Sequence, residues 1–253
     1  MNARRASPGG TGVTAATARD GGAAAAATAR DGGTAAAAPA RETVVLLHGL
    51  MRSPRSMQPL ARRLAREGYV VRNVGYPSWR WEPERLLRRL DAQLTACRSA
   101  PAGSVHFVTH SLGGILLRAW LARGPLPSLG RVVMLAPPNA GSEVVDRIGA
   151  SRLLRVLLGP TGQRLGTGAG AWPGGLPPAG YEVGIIAGTR SINPLFSSLL
   201  PGENDGAVRV ASTRLAGAAG FVTMPHTHTF IMRSRRVHDQ VVSFLKTGSF
   251  QAT

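Results

Sequence analysis

The sequence predicts an α/β fold: a doubly wound, mostly parallel sheet with helices on both faces. Three observations predict it. Short apolar runs such as Thr43-Val-Val-Leu-Leu-His48 recur along the chain and read as strands buried on both sides. Segments of helix length separate them. Those segments carry apolar stripes at helical spacing, and connections of that length suit crossovers between parallel strands.

Each element has its own reason. After the strand Thr43–His48, Met57, Leu60 and Leu64 share one helical face, with Arg62, Arg63 and Arg66 opposite. Tyr69–Asn73 is the second strand. Pro83 suits the first turn of a helix, and Leu86, Leu87, Leu90 and Leu94 make its buried stripe; Cys97 falls on the same stripe. Val105–Thr109 is the third strand, followed by a helix from Ser111 to Arg123. Arg131–Leu135, Glu182–Ala187 and Phe221–Met224 complete the strands, and a closing helix carries Val237, Val241, Phe244 and Leu245 on one face.

Residues 1–40 are of another kind. They are mostly Ala, Gly, Thr and Arg, with Val13 as the only branched apolar residue, and Thr17-Ala-Arg-Asp-Gly-Gly22 recurs at 28–33. Such a segment buries too little apolar area to offset its ordering entropy, so a disordered tail is expected. The expected domain is 41–250, a single body with a small cap or lid at about 140–180.

The formal charge of +17 is almost all arginine, with Lys246 the one lysine. Arg4, Arg5, Arg19 and Arg30 face Asp20 and Asp31 in the tail, so most of that charge stays on the body. The arginines are scattered over helix faces without forming a block, and no RNA- or DNA-binding motif accompanies them. Nucleic acid is therefore not an expected partner. Weak attraction to an anionic membrane surface is the expected consequence. One cysteine, Cys97, excludes an intrachain disulfide. No apolar run reaches the ~20 residues of a spanning helix, and Met1–Gly10 lacks an apolar segment behind its arginines. The expectation is a cytoplasmic protein.

The chemistry starts at Thr109-His-Ser-Leu-Gly113, where a strand meets a helix and Gly114 follows. A nucleophilic serine needs to project from a tight turn at the carboxyl edge of the sheet, with a helix N-terminus beneath it. The commonest form of this motif has glycine first, because the position is crowded; here it is Thr109. The alternative reading of Ser111 is an ordinary helix N-cap.

On such a sheet the acid and then the base follow the serine. The carboxylates between Ser111 and the last histidines are Glu143, Asp146, Glu182, Glu203 and Asp205. Asp205, in the turn Glu203-Asn-Asp-Gly206 after the fifth strand, is best placed to reach a histidine after the sixth, with Glu203 its neighbour and rival. Glu143 and Asp146 read as the opening of a helix. His238 lies on the last helix and reads as solvated. His226 and His228, in Pro225-His-Thr-His-Thr229, can each reach the serine, and a His-x-His pair also invites a zinc reading, without a clear further ligand set. The oxyanion donors expected are the backbone amides of Leu50, in His48-Gly49-Leu50, and Leu112. His48 reads as a brace for that loop.

Together these residues resemble the bacterial esterase/lipase-like members of the α/β-hydrolase superfamily. The resemblance runs from about Val44 to Phe250 through Leu46-Leu-His-Gly-Leu50, Val108-Thr-His-Ser-Leu-Gly-Gly114, Leu135-Ala-Pro-Pro-Asn139, Gly202-Glu-Asn-Asp-Gly206 and Thr227-His-Thr-Phe-Ile-Met232. It implies the α/β-hydrolase fold, and its His-Thr-Phe unit favours His228 over His226 as base. It implies Ser111, Asp205 and His228 as catalytic residues, hydrolysis of carboxylic esters through an acyl-enzyme, a small-molecule ester or lipid substrate, no cofactor and no metal. A thioesterase or acyltransferase with the same three residues, and an inactive scaffold that binds a ligand or partner, remain alternatives. The 140–180 segment, with Leu153, Leu154, Val156, Leu157 and Leu158, reads as an apolar lid or acyl wall. Trp79 and Trp81 line the pocket or cover the sheet edge.

Overall fold

The structure, a computed structural model, describes residues 42–99, 103–192, 197–198 and 200–252. The tail expected at 1–40 lies outside the described residues.

Six strands form one sheet: β1 (Thr43–Leu47), β2 (Val70–Val74), β3 (Val105–His110), β4 (Leu129–Leu135), β5 (Val183–Gly188) and β6 (Gly220–Met224). Their order is β2-β1-β3-β4-β5-β6, and every neighbouring pair is parallel. All six residues of β3 and of β5 are buried. The helices are α1 (Gln58–Arg66), α2 (Pro83–Ser99), α3 (Leu112–Leu121), α4 (Glu143–Ala150), α5 (Arg152–Gly162) and α6 (Arg235–Thr247), with a short turn of helix at Val210–Thr213.

Strand side chains alternate between two cores because the pleat has period two. Val45, Leu47, Phe107, Val132 and Ile185 meet the apolar sides of α2 and α3, among them Leu86, Leu90, Ile115 and Trp120. Val44, Leu46, Val108, Val133 and Ile186 meet α1 and α6 through Leu60, Leu64, Val237, Val241 and Phe244. The sheet is thus covered on both faces, and the central strands are mostly apolar for that reason, although β3 buries His106, Thr109 and His110. Cys97 is buried in the α2 layer.

Chain direction reverses across the sheet between β1 and β3: the chain steps from β1 to β2 on one side, then to β3 on the other. In parallel α/β sheets the crevice beyond the strands' carboxyl ends at such a point is where ligands bind. The loop after β1 holds His48, Gly49 and Leu50; the residue after β3 is Ser111.

Two expectations are corrected. His238 is buried, not solvated: the 3-10 turn at Ile231–Arg233 lies over α6, and the His238 Nε2–H donates to the Met232 carbonyl at 2.9 Å. Trp79 and Trp81 do not line the cavity above Ser111. They tie the β2–α2 loop to α5: the Trp79 indole donates to the Leu157 carbonyl at 2.8 Å, and Thr161 Oγ1 donates to the Trp81 carbonyl at 2.5 Å. At Gly159, φ is 62°, which kinks α5 where it passes Trp79.

Arg118 on α3 is buried, with no carboxylate partner among the described residues. Its Nη1 donates to the backbone carbonyl and Oδ1 of Asn139 at 3.3 and 3.2 Å, and to the Pro173 carbonyl at 3.4 Å. Its Nη2 donates to the carbonyls of Leu176 and Pro177 at 3.0 and 3.1 Å. One guanidinium therefore fastens the loop around Pro173–Pro177 and the end of the β4 loop to α3. Replacing it strands several buried carbonyls. Arg118→Met is expected to lower unfolding free energy by about 2–4 kcal/mol. Arg118→Lys should recover only part of this, since a point ammonium cannot span the same acceptors; urea unfolding of the three proteins measures both.

Candidate active site

Ser111 sits between β3 and α3 with φ 51° and ψ −121°. A non-glycine residue at positive φ is strained by about 1–3 kcal/mol. The surroundings hold it there. Its N–H donates to the Leu135 carbonyl at 2.9 Å, and its carbonyl accepts from Gly114 N at 2.9 Å. Gly113 lets the first turn of α3 press against β1: a Cβ there would lie 2.5 Å from the Leu47 carbonyl oxygen. Thr109 fits the crowded first position of the motif because Gly114 has no side chain. A Cβ on Gly114 would stand 3.3 Å from Thr109 Oγ1.

Asp205 is buried and fully engaged. Oδ1 accepts from the backbone N–H groups of Ala207 at 3.0 Å and Val208 at 2.8 Å, which fixes the turn; Oδ2 faces His228. Asn204 locks the same turn from the other side, its Oδ1 accepting from Gly206 N at 3.0 Å and Ser197 Oγ at 3.1 Å. The His228 N–H donates to the Asp205 carbonyl at 3.0 Å, so backbone as well as side chain joins the two loops.

The three residues meet. His228 Nδ1–H donates to Asp205 Oδ2 at 2.8 Å, and the Ser111 hydroxyl donates to His228 Nε2 at 2.9 Å. Segments 117 residues apart in the chain are thereby within hydrogen-bond reach. His226 is not brought in: its Nε2 accepts from Ser234 Oγ at 2.9 Å, and that hydroxyl also caps α6 by accepting from Val237 N. Glu203 is exposed and makes no approach to either imidazole. Glu143 and Asp146 stand in the first turn of α4, where the helix dipole favours them.

Two buried histidines support the site. His48 stacks on Tyr76 with ring centroids 4.1 Å apart; its Nδ1–H donates to the Gly49 carbonyl at 2.9 Å, and the Tyr76 hydroxyl donates to the His48 carbonyl. His110, the residue before the serine, donates from Nε2 to the His228 carbonyl at 3.0 Å, and the two rings lie 5.0 Å apart. The motif contains His110 in plain view, but nothing in one dimension says that it reaches the loop of the base.

A cavity of about 200 Å³ opens above Ser111 and His228. Val144 and Val145 from α4, Leu158 from α5, and Leu165 form an apolar wall, with Leu50 opposite. Ser142 also lines it, its hydroxyl donating to the Ala207 carbonyl at 2.7 Å. Arg52 lines it as well, at a position that belongs to none of the motifs.

Burial holds His110 well below the ordinary imidazole value of 6.5, with the neighbouring His228 pushing the same way; burial also lowers His48 and His238. The folded protein keeps these rings neutral, whereas the unfolded chain takes up protons below about 6.5. Stability is therefore complete above that value and falls as pH drops towards the lower native values. Urea unfolding between about pH 7.5 and about pH 5 is expected to show this decline, and His110→Asn to flatten part of it.

The fold agrees with comparisons to known proteins. The chain is similar to the mature lipase BlEst2 of Bacillus licheniformis at 22% identity and a TM-score of 0.68, covering 83% of this chain and 93% of that one. It is similar to the phospholipase PlaB of Legionella pneumophila at 16% identity and a TM-score of 0.62, covering 79% of this chain and 57% of that one. A metagenomic carboxyl esterase, MGS0156, matches at 17% identity and a TM-score of 0.53, with 75% and 64% covered. At these identities the likeness is one of fold. A comparison with curated proteins gives no match. A family model described as "Alpha/beta hydrolase family" matches residues 44–244, and the chain belongs to that family.

Proposed function

We propose that this protein is a serine hydrolase that cleaves carboxylic esters. The observation that carries the reading is the pair of hydrogen bonds from Asp205 through His228 to Ser111, at 2.8 and 2.9 Å, beside an apolar cavity. Membership of the α/β-hydrolase family supports it.

The geometry suits two-step acyl transfer. Ser111 Oγ attacks the ester carbonyl while His228 Nε2 takes its proton, and Asp205 holds the Nδ1–H tautomer and stabilises the imidazolium. The oxyanion forms against backbone N–H groups, for which we assign Leu50 and Leu112. Leu112 opens α3, where the helix leaves its N–H without an intrahelical carbonyl. Each such donor is worth about 3 kcal/mol in the transition state. His228 then gives its proton to the leaving alcohol. Water, activated by the same imidazole, attacks the acyl-enzyme and releases the acid, returning the proton to Ser111.

The acyl group belongs in the wall of Val144, Val145, Leu158 and Leu165. At about 200 Å³ the cavity is smaller than the ~300–1,000 Å³ of sites for drug-sized ligands. A short acyl chain fits best, so 4-nitrophenyl butyrate is expected to be turned over faster than the palmitate. Ser111→Ala and His228→Ala should each lower kcat on the butyrate by about a thousandfold or more. His226→Ala should stay within about threefold of the parent, because its partner is Ser234 and not the serine. Loss of turnover in the His226 variant with activity retained in the His228 variant would overturn the assignment of the base.

A further inference from the structure

Arg52 lines two cavities. One is the Ser111 cavity; the other, of about 420 Å³, is also lined by Arg55, Arg233, Thr229 and the exposed side chains Met51 and Phe230. No carboxylate lines either one. Among the described residues Arg63, Arg98, Arg123, Arg131 and Arg209 have carboxylate partners, whereas Arg52, Arg55 and Arg233 have none. Three exposed cations thus surround one concavity, where they repel one another and raise the local potential.

The position of this concavity relative to the chemistry gives it a meaning. The base must protonate the leaving oxygen, so the alcohol portion of an ester lies on the His228 side of the serine. Thr229 and Phe230, which follow His228 directly, line the second cavity. The apolar wall belongs to the first cavity, which Ser111 and His228 also line. The two cavities that share Arg52 therefore differ in character: one has an apolar wall, the other is bordered by cations.

We propose that the preferred substrates are esters whose alcohol portion carries an anionic group, phosphate or carboxylate, held in the second cavity by Arg52, Arg55 and Arg233. The inference rests on the hydrolase reading above and names the substrate class of the same site. Guanidinium groups suit this task because they meet phosphate and carboxylate oxygens with paired donors. Phe230 and Met51 supply apolar floor beside the charge.

The test compares kcat/KM for the monobutyrates of glycerol phosphate and of glycerol, both as dispersed monomers. The ratio of the two is read in the parent, in an Arg55→Gln/Arg233→Gln variant, and in Arg88→Gln. Arg88 is exposed on α2 and lines neither cavity. Intrinsic ester reactivity cancels between proteins. The double variant is expected to lose about fivefold or more of the anionic preference, mainly through KM. Arg88→Gln should keep the preference, the corresponding double lysine variant should retain most of it, and added salt should weaken it in the parent. An unchanged ratio in the double variant overturns the proposal, as does an equal loss in Arg88→Gln. Vesicles of phosphatidylglycerol form the last arm: an Arg55 and Arg233 dependence seen there but absent from the monomers makes these residues a surface-docking patch and also overturns it. Turnover of both esters with an unchanged ratio leaves the hydrolase reading standing, whereas turnover of neither removes both.

Discussion

The arrangement depends on a single strained turn. At Ser111 the backbone leaves β3 with a φ of 51° and enters α3 at the next residue. That conformation aims the hydroxyl out of the carboxyl edge of the sheet and towards His228, instead of into a core where both strand and helix are buried. The strain is offset by the hydrogen bond to Leu135, by the close contact of Gly113 with the end of β1, and by the buried flanks of β3 and α3. A side chain at Gly113 would push the helix away from β1 and move Ser111 with it.

The other parts of the site are placed by the same sheet. β1 delivers the His48–Leu50 loop, β5 leads to the Asp205 turn, and β6 delivers His228, all at the carboxyl edge. Local hydrogen bonds then convert proximity into register. Asn204 and the amides of Ala207 and Val208 fix the carboxylate, while His110 and the Asp205 carbonyl hold the backbone of His228. In the proposed reaction these contacts hold Ser111, His228 and Asp205 in place before substrate arrives, which is where much of the rate advantage of such sites originates. α4 and α5 line the site with apolar side chains, and Arg52 joins it to the neighbouring concavity bordered by Arg55 and Arg233.

Much of this was legible in one dimension. The β1, β3 and β5 runs read as strands because a sheet covered on both faces favours apolar residues there, and the observed ends differ from the expected ones by no more than one residue. Ser111 was legible because a strand, a tight turn and a glycine-bearing helix start leave a dense local signature. Asp205 followed by elimination among few carboxylates. Other features depend on three-dimensional neighbours. His226 and His228 share one short loop, and it is in space that they part: His228 meets Asp205 and Ser111, whereas His226 meets Ser234. His238 looked solvated because its helix face is partly polar; the turn that buries it precedes α6 and has no periodic signature. Trp79 and Trp81 meet α5 about 80 residues on. Arg52 and Arg233 lie 181 positions apart in the sequence yet border one cavity, and nothing in one dimension joins them.

Covalent capture of the nucleophile tests the central claim most directly. A fluorophosphonate reacts only with a serine whose hydroxyl is activated by a base beside it. Incubated with the folded protein, it is predicted to add one phosphonyl group per chain, mapped by mass spectrometry to Ser111, with the adduct lost when His228 is replaced. A folded protein that stays unlabelled, or one labelled at a different serine, would contradict the account.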